Sequence, residues 1–174
     1  AGDGSDFQER HFKYENGFYD RHERQFLGFQ KVEQSDMNGD IEVRLLSQEF
    51  YVDNYYQKGL LKSAELFDQK GRLHKRIEQQ YALRDVETEA ILPVNAKFRD
   101  DLVAFPMLTS KLIRNTEGSD ELFTQQNFNF SYDLVGNVLQ KKETDQYGFN
   151  KTHELSYQYD QERYIVDRLE AESI

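Results

Sequence analysis

The chain has 174 residues, a formal net charge of −10 and no cysteine, which excludes disulfides, thiol catalysis and zinc sites with cysteine ligands. The acidic balance disfavours nucleic acid as a partner, because phosphate binding needs clustered Lys and Arg, and no apolar run approaches the roughly 18–20 residues of a membrane helix. Aromatic residues make up 14% of the sequence, which argues against disorder and favours amphipathic strands joined by polar turns.

The sequence begins at Ala1, without an initiator Met or the apolar core of a signal peptide. We therefore expect a cut end and a chain that is a piece of a longer protein. Strand patterns then follow one another, with alternating or β-branched and aromatic residues, at positions 40–53, 72–83, 122–132 and 154–160.

Turn-forming residue pairs separate these runs and predict antiparallel hairpins rather than crossover helices. The pairs are Asn16-Gly17, Asn38-Gly39, Lys58-Gly59, Lys70-Gly71, Gly118-Ser119, Gly136-Asn137 and Tyr147-Gly148.

Two segments have some helical character. Residues 55–67 contain Gly59, which weakens a helix by about 1 kcal/mol relative to Ala, and we expect this segment to be extended. Residues 81–92 leave open a long strand or a short helix before Pro93. Pro93 and Pro106 bracket a stretch that we expect to form a loop and an edge strand, since proline cannot donate to a central ladder.

An aromatic residue followed by aspartate recurs in the segments 18–29, 66–79, 131–145 and 158–169. We expect the ring to pack on the apolar face of a strand, the carboxylate to accept N–H groups of a turn, and a following glycine to supply positive φ. Segment 158–169 lacks the glycine, so its turn must differ. The residues of this structural turn motif are Tyr19, Asp20, Phe67, Asp68, Gly71, Tyr132, Asp133, Gly136, Tyr159 and Asp160.

The form aromatic-Asp-x-x-Gly-Arg/Asn-Leu/Val resembles the YD (Rhs) repeat, most closely at 67–73 and 132–138. The stretch 19–36 is similar to one in the B component of bacterial insecticidal toxin complexes and in SpvB-like proteins. Arg21, Gly28 and Phe29 carry that resemblance.

The strand and turn pattern predicts an all-β chain of antiparallel hairpins, arranged as a meander in one β-rich segment over 1–174. The resemblance implies that the sheet is curved and forms part of a hollow shell around a toxic effector polypeptide, in a toxin complex secreted by bacteria. The implied partners are other segments or subunits of that shell and the enclosed effector. No cofactor or catalytic residue is implied, so we expect no enzyme. The alternative is a self-contained, secreted β-rich module that recognises carbohydrate or protein through exposed rings.

Other motifs favour ordinary structural roles. Asp36, Asn38 and Asp40 have calcium-loop spacing, yet Arg44 stands where a closing carboxylate is needed, so an Asn-Gly hairpin turn is favoured. Asp100 and Asp101 are adjacent and would point to opposite faces of a strand, so they cannot pair as glycosidase carboxylates. We expect surface strand positions for His11, His22, His74 and His153, and packing rather than sugar stacking for Phe26, Phe29, Phe50, Tyr51, Tyr55 and Tyr56.

Overall fold

A computed structural model describes residues 9–21, 24–92, 102–119, 121, 123–160, 162–163 and 165–174. Within these ranges the chain forms strands and turns and no helix, hence no helix with the length and apolarity that a membrane crossing requires. The strands are β1 (Glu9–Asp20), β2 (Gln25–Asn38), β3 (Ile41–Phe50), β4 (Leu61–Asp68), β5 (Leu73–Asp85), β6 (Ile91–Leu92), β7 (Ala104–Asn115), β8 (Thr124–Tyr132), β9 (Val138–Asp145), β10 (Asn150–Asp160) and β11 (Ile165–Ser173).

The chain divides into two compact units, and strands β5, β7 and β8 contribute residues to both. The first unit comprises Ala1–Glu78 and Ile113–Thr124, with the hydrogen-bonded strand order β1-β2-β3-β4-β5. The second comprises Gln79–Leu112 and Gln125–Ile174, with the order β5-β7-β8-β9-β10-β11 and β6 paired to β5. Every strand pair with a described register is antiparallel. The predicted all-β, antiparallel meander is confirmed.

Few side chains are removed from water in either unit. Among the described residues no side chain is less than 2% exposed. The buried apolar residues are Leu27, Val52 and Ala64 in the first unit and Leu83, Leu102, Ala104 and Met107 in the second. A strand exposes its two faces alternately, so sheet strands bury large side chains only where a further layer covers them.

The predicted extended segment 55–67 is strand only in its second half. Hydrogen bonds from Tyr51 N to Leu60 O (2.9 Å) and from Gly59 N to Tyr51 O (3.0 Å) close a loop before β4 begins. Gly59 has φ +75°, a left-handed value that glycine adopts without strain. The glycine therefore ends a loop rather than interrupting a strand.

The segment 81–92, left open between strand and helix, divides into two strands and a turn. β5 continues to Asp85, whose carboxylate accepts the N–H groups of Glu87 and Thr88 at 2.9 and 3.1 Å. β6 then returns, pairing Leu92 with Leu83. Neither a single long strand nor a helix forms, because the Asp85 side chain caps a reversal.

The stretch 94–105, expected to form a loop and an edge strand, is described only at residues 102–105, and there the expectation of an edge strand is wrong. Pro106 is the third residue of β7, which lies between β5 and β8. The Tyr132 hydroxyl donates to the Leu108 carbonyl at 3.0 Å, and Tyr132 is the last residue of β8. Pro106 therefore stands near the level at which β8 ends, where a missing N–H costs the ladder little. Pro93, Asp100 and Asp101 lie outside the described residues.

Candidate functional site

Three turns share one pattern of hydrogen bonds, and each is headed by an aspartate at a strand end. We name them turn A (68–72), turn B (133–137) and turn C (145–149). In each turn the aspartate N–H donates to the carbonyl four residues on, at 3.1, 3.0 and 3.1 Å respectively. The chain therefore reverses within five residues in all three.

The aspartate carboxylate of each turn accepts two N–H groups of that same turn, from the residues two and four places on. The donor–acceptor distances are 2.9 and 3.0 Å in turn A, 3.0 and 2.8 Å in turn B, and 2.9 and 2.9 Å in turn C. This is an Asx-type cap, in which a short side chain replaces a missing backbone acceptor.

The fourth residue of each turn is glycine with positive φ. The values are +72° at Gly71, +99° at Gly136 and +83° at Gly148. A residue with a Cβ would be strained there, so the sequence Asp-x-x-Gly is the local code for this reversal.

The fifth residue decides how many more donors the aspartate receives. In turn A, Arg72 adds its guanidinium to Asp68 Oδ2, through Nε at 2.8 Å and Nη2 at 2.6 Å. The Arg72 backbone N–H and then its guanidinium hold the pKa of Asp68 far below its usual range. In turn C the fifth residue is Phe149, which has no side-chain donor to offer.

Turn A is backed by a second loop of the first unit. Thr116 N donates to the His74 carbonyl and Gly118 N to the Leu73 carbonyl, at 2.9 and 3.0 Å. A Cβ at Gly118 would lie 2.8 Å from His74 Nε2, so the loop lies directly on that ring. His74 Nε2 is in turn 3.3 Å from Asp68 Oδ2.

Turn B is held from β5 by a buried arginine. Arg84 is only 7% exposed, and its two terminal nitrogens donate to the carbonyls of Asp133 and Leu134, each at 2.7 Å. The planar guanidinium fork suits two adjacent acceptors. Both carbonyls precede the glycine, so Arg84 fixes the first half of the turn.

An aromatic ring supports the second half of turn B. A Cβ at Gly136 would lie 2.8 Å from Phe105 Cζ, so the glycine backbone lies on the ring face. Tyr132 packs edge-on against the same ring, with centroids 6.3 Å apart and an interplanar angle of 75°. The aromatic residue before the aspartate therefore packs on the surface that supports the turn.

Turn B also receives a side chain from the end of the next-but-one strand. The Tyr159 hydroxyl donates to Asp133 Oδ2 at 2.5 Å. Asn137 Nδ2 donates to the same oxygen at 2.8 Å and to the Val166 carbonyl on β11 at 2.6 Å. Burial alone would raise the pKa of Asp133, but the hydrogen bonds from Tyr159 and Asn137 outweigh it and lower the pKa. The pKa of Tyr159 is raised, chiefly by its bond to this carboxylate.

The remaining residues of the motif, Tyr19, Asp20, Phe67 and Asp160, lie within the last two positions of their strands. Tyr19 and Asp20 are the last residues of β1, and Tyr19 is 55% exposed. Asp160, the last residue of β10, accepts the Arg163 N–H at 3.1 Å, three residues on rather than two and four. Phe67, next to Asp68 on β4, pairs with Leu73 of β5. The structure brings Tyr132, Asp133, Gly136 and Tyr159 together, while Tyr19 and Asp20 belong to the other unit.

Turn C was missed in the sequence because the residue before Asp145 is Thr144, not an aromatic residue. The Tyr147-Gly148 pair marked a reversal there, but nothing assigned the cap to Asp145. The spacing Asp-x-x-Gly alone would have found it. Arg84 and Phe105, which support turn B, carried no signal in the sequence.

The calcium-loop residues and the histidines have other partners. Asn38 pairs with Ile41 across a hairpin turn, and Asp36, 4% exposed, accepts Arg44 Nε at 2.8 Å and contacts Arg10 Nε at 3.2 Å. His153 Nδ1 contacts Glu172 at 2.9 Å and His11 Nε2 contacts Glu9 at 2.6 Å; His22 lies outside the described residues. Of the rings expected to pack, Phe26, Phe29 and Tyr55 are 50%, 37% and 47% exposed.

The chemistry of the turns is that of a fixed scaffold. Each aspartate oxygen that faces its turn accepts backbone donors, and the outer oxygens of Asp68 and Asp133 accept side-chain donors as well. Charge-assisted hydrogen bonds of this kind are short and orient both partners. The arrangement fixes chain reversals and, at turn B, connects β5, β10 and β11 to the turn between β8 and β9.

Part of the chain matches a known protein family. Residues 5–64 match the family model described as "Insecticide toxin TcdB middle/N-terminal region". No curated protein sequence matches the chain significantly. The family match includes the stretch 19–36, so the resemblance to the B component of toxin complexes is confirmed for that part of the chain.

Solved structures extend the likeness of fold to almost the whole chain. A chain of the TcdB2-TccC3 crystal structure is similar with a TM-score of 0.66 and 13% identity, over 92% of this chain. A chain of the Photorhabdus luminescens Tc holotoxin pore gives 0.68 and 12%, over 91%. This chain spans only 12% and 11% of the length of those chains.

Proposed function

We propose that this chain is a structural segment of a toxin-complex β-shell, of the YD-repeat type, that encloses a toxic effector polypeptide for delivery. The observation that supports the proposal most strongly is the turn B junction. There the hydroxyl of Tyr159, from one Tyr-Asp pair, donates to the carboxylate of Asp133, from another. That junction occurs in a chain whose residues 5–64 match a toxin-complex family model and whose fold is similar to that of part of a toxin-complex chain.

The turn B junction is consistent with a role in the wall of a β-shell, because it connects strands rather than forming a cavity. Turn B links β8 and β9, and Arg84, Tyr159 and Asn137 connect it to β5, β10 and β11 of the second unit. An isolated hairpin is marginal in water and persists only when neighbouring strands support it. Repeated strand ends that bind one another are a means of extending a sheet over many hairpins.

The exposure of large apolar side chains also supports a role as part of something larger. Tyr147, Phe149, Leu134 and Val103 are each more than 60% exposed. Tyr147 and Phe149 lie in the same turn, and an exposed apolar patch commonly marks a surface that other polypeptide covers. The partners on this account are other segments or subunits of the shell and the effector within it, in a secreted toxin complex, and the segment itself has no enzymatic role.

Limited proteolysis tests the proposal. The full-length protein that contains this sequence is prepared together with the subunit that carries the effector, and the complex is treated with a broad-specificity protease before and after denaturation in urea. We expect an effector fragment to survive in the native complex and to be degraded once the shell is unfolded.

Equal rates of effector degradation in both states would contradict enclosure. In that case a glycan array probed with the soluble chain would test the alternative, a self-contained binding module that uses exposed rings such as Phe26 and Tyr55.

A further inference from the structure

The strands β2 to β5 of the first unit have two chemically different faces. Successive residues alternate between them, as strand geometry requires. The groove face carries Gln34, Arg44, Leu46, Ala64, Leu66, Lys75 and Ile77, which line one shallow cavity. The ion-pair face, formed by the alternate positions, includes Lys31, Glu33, Ser47, Glu49, Glu65, Arg76 and Glu78.

Charged side chains of the ion-pair face pair with one another. Arg76 contacts Glu65 at 3.3 Å and Glu78 at 2.7 Å, and Lys31 contacts Glu33 at 2.6 Å. Removing such a set of ions from water carries a large desolvation penalty. This face is therefore suited to bulk solvent.

The groove face has an apolar floor. Leu46, Ala64, Leu66 and Ile77 come from three adjacent strands and line a cavity of about 250 Å³. Cavities that hold drug-sized ligands or cofactors usually measure about 300–1,000 Å³. The groove is thus of a size to take a few side chains rather than a cofactor.

The rim of the groove carries an unbalanced positive charge. Arg44 is bound to the buried Asp36, with Nε 2.8 Å from Oδ2. Lys75 is exposed, and among the described residues it forms no ion pair. Its register neighbour on β4 is Leu66, an apolar residue of the floor. A carboxylate beside apolar side chains complements this combination of lysine and groove.

We propose that the groove face contacts the enclosed polypeptide, and that the groove binds an extended segment of it in which an Asp or Glu is flanked by apolar residues. The carboxylate pairs with Lys75 and the apolar side chains lie over Leu46 and Leu66. The groove crosses from β2 to β5, about 14 Å at a strand spacing of about 4.8 Å, which is the length of roughly four extended residues. This inference rests on the proposed function, since it names the face that the effector meets.

Single cysteines test which face the effector meets, because the chain has no cysteine of its own. Leu46→Cys places a thiol on the groove face, and Ser47→Cys, the next residue of β3, places one on the ion-pair face as the matched control. Each variant is made in a full-length complex whose other cysteines are replaced by serine, so that a photo-activated crosslinker labels the introduced thiol alone. We expect crosslinks to the effector from L46C and few from S47C. Equal yields, or a higher yield from S47C, would overturn the proposal.

A charge change tests the carboxylate. In the Leu46→Cys background, Lys75→Glu should lower the crosslinking yield about threefold or more, the factor expected for loss of an exposed ion pair, while Lys75→Arg should preserve it. A yield that is unaffected by Lys75→Glu would overturn the assignment of Lys75.

Protease protection of the effector, measured on the same samples, separates the two proposals. Protection of the effector without crosslinking from L46C would reject binding in the groove but would agree with enclosure by the shell. Absence of protection in the unmodified complex rejects the shell itself.

Discussion

The Tyr159 hydroxyl donates a hydrogen bond of 2.5 Å to Asp133 Oδ2, although the two residues are 26 positions apart and lie near the ends of different strands, β10 and β8. Each belongs to its own tyrosine-aspartate pair. The tyrosine of one pair therefore completes the turn that the aspartate of another pair caps. This relationship gives the tyrosine a role beyond packing, since its hydroxyl satisfies a carboxylate that the turn already orients.

Replacing Tyr159 with Phe should destabilise the second unit and change how its stability depends on pH. The Tyr159 pKa is raised in the folded state by its bond to Asp133. Its stabilising effect should therefore be complete below the unfolded pKa of about 10 and be lost as the pH rises through the higher folded value. Thermal unfolding of the unmodified chain and Y159F between pH 7 and 11 measures this. Tyr157→Phe, two residues earlier on β10, is the control, and a similar alkaline loss in both variants would count against the assignment.

Replacing Gly136 with Ala should cost more stability than the same change at Gly148. Both glycines have positive φ, but a Cβ at Gly136 would meet Phe105 at 2.8 Å, whereas one at Gly148 meets nothing within 4 Å. Backbone strain predicts a loss of about 1–2 kcal/mol at Gly148, and strain plus the clash about 2–4 kcal/mol at Gly136. Urea unfolding measures both. Adding Phe105→Leu to G136A should recover part of the loss, and no recovery would show that the ring does not cause it.

Replacing Arg84 with Met should release turn B. The substitution retains the apolar stem but removes both donors to the Asp133 and Leu134 carbonyls, and Arg84 is buried. We expect a loss of about 2–4 kcal/mol in the free energy of unfolding. Arg163→Met is the control, because the Arg163 side chain is 79% exposed, and its effect should stay within about 0.5 kcal/mol. Comparable losses at the two positions would contradict the role assigned to Arg84.

Turn A should make stability sensitive to acid. The Asp68 pKa is depressed by the backbone N–H and guanidinium of Arg72. Its contribution is therefore complete above the unfolded pKa of about 3.9 and is lost as the pH falls towards the folded value. Asp68→Asn should be less stable than the unmodified chain at pH 7, and the difference should shrink below about pH 3.9. A difference in urea midpoint that stays constant down to pH 2 would show that the charge of Asp68 does not matter.

The sequence indicates those features of the site that depend only on contacts between neighbouring residues. The cap of turn A involves only residues 68–72, so the order aromatic-Asp-x-x-Gly is enough to mark it. Turn C has the same aspartate and glycine, but requiring an aromatic residue before Asp145 concealed it. The cap itself needs no ring, because the hydrogen bonds come from the turn.

What the sequence does not indicate depends on contacts between distant residues. Arg84 lies 49 positions before Asp133, and an arginine near the end of a strand has no pattern that reveals its acceptors. The wrong expectation of an edge strand at Pro106 has a similar origin. Proline is tolerated in a strand between two others only where a neighbouring strand, here β8, ends. The sequence shows that proline lacks a backbone N–H, but only the pairing of strands shows whether a neighbouring strand needs that N–H as a hydrogen-bond donor.

A cryo-electron microscopy map of the full-length protein with its effector-bearing subunit tests the central claim most directly. We expect β1 and β11, which end the strand order of this segment, each to be hydrogen-bonded to further strands of a continuous wall. We also expect that wall to surround a chamber containing effector density. A map in which both strands border solvent, with the segment standing as a separate domain and no enclosed polypeptide, would contradict it.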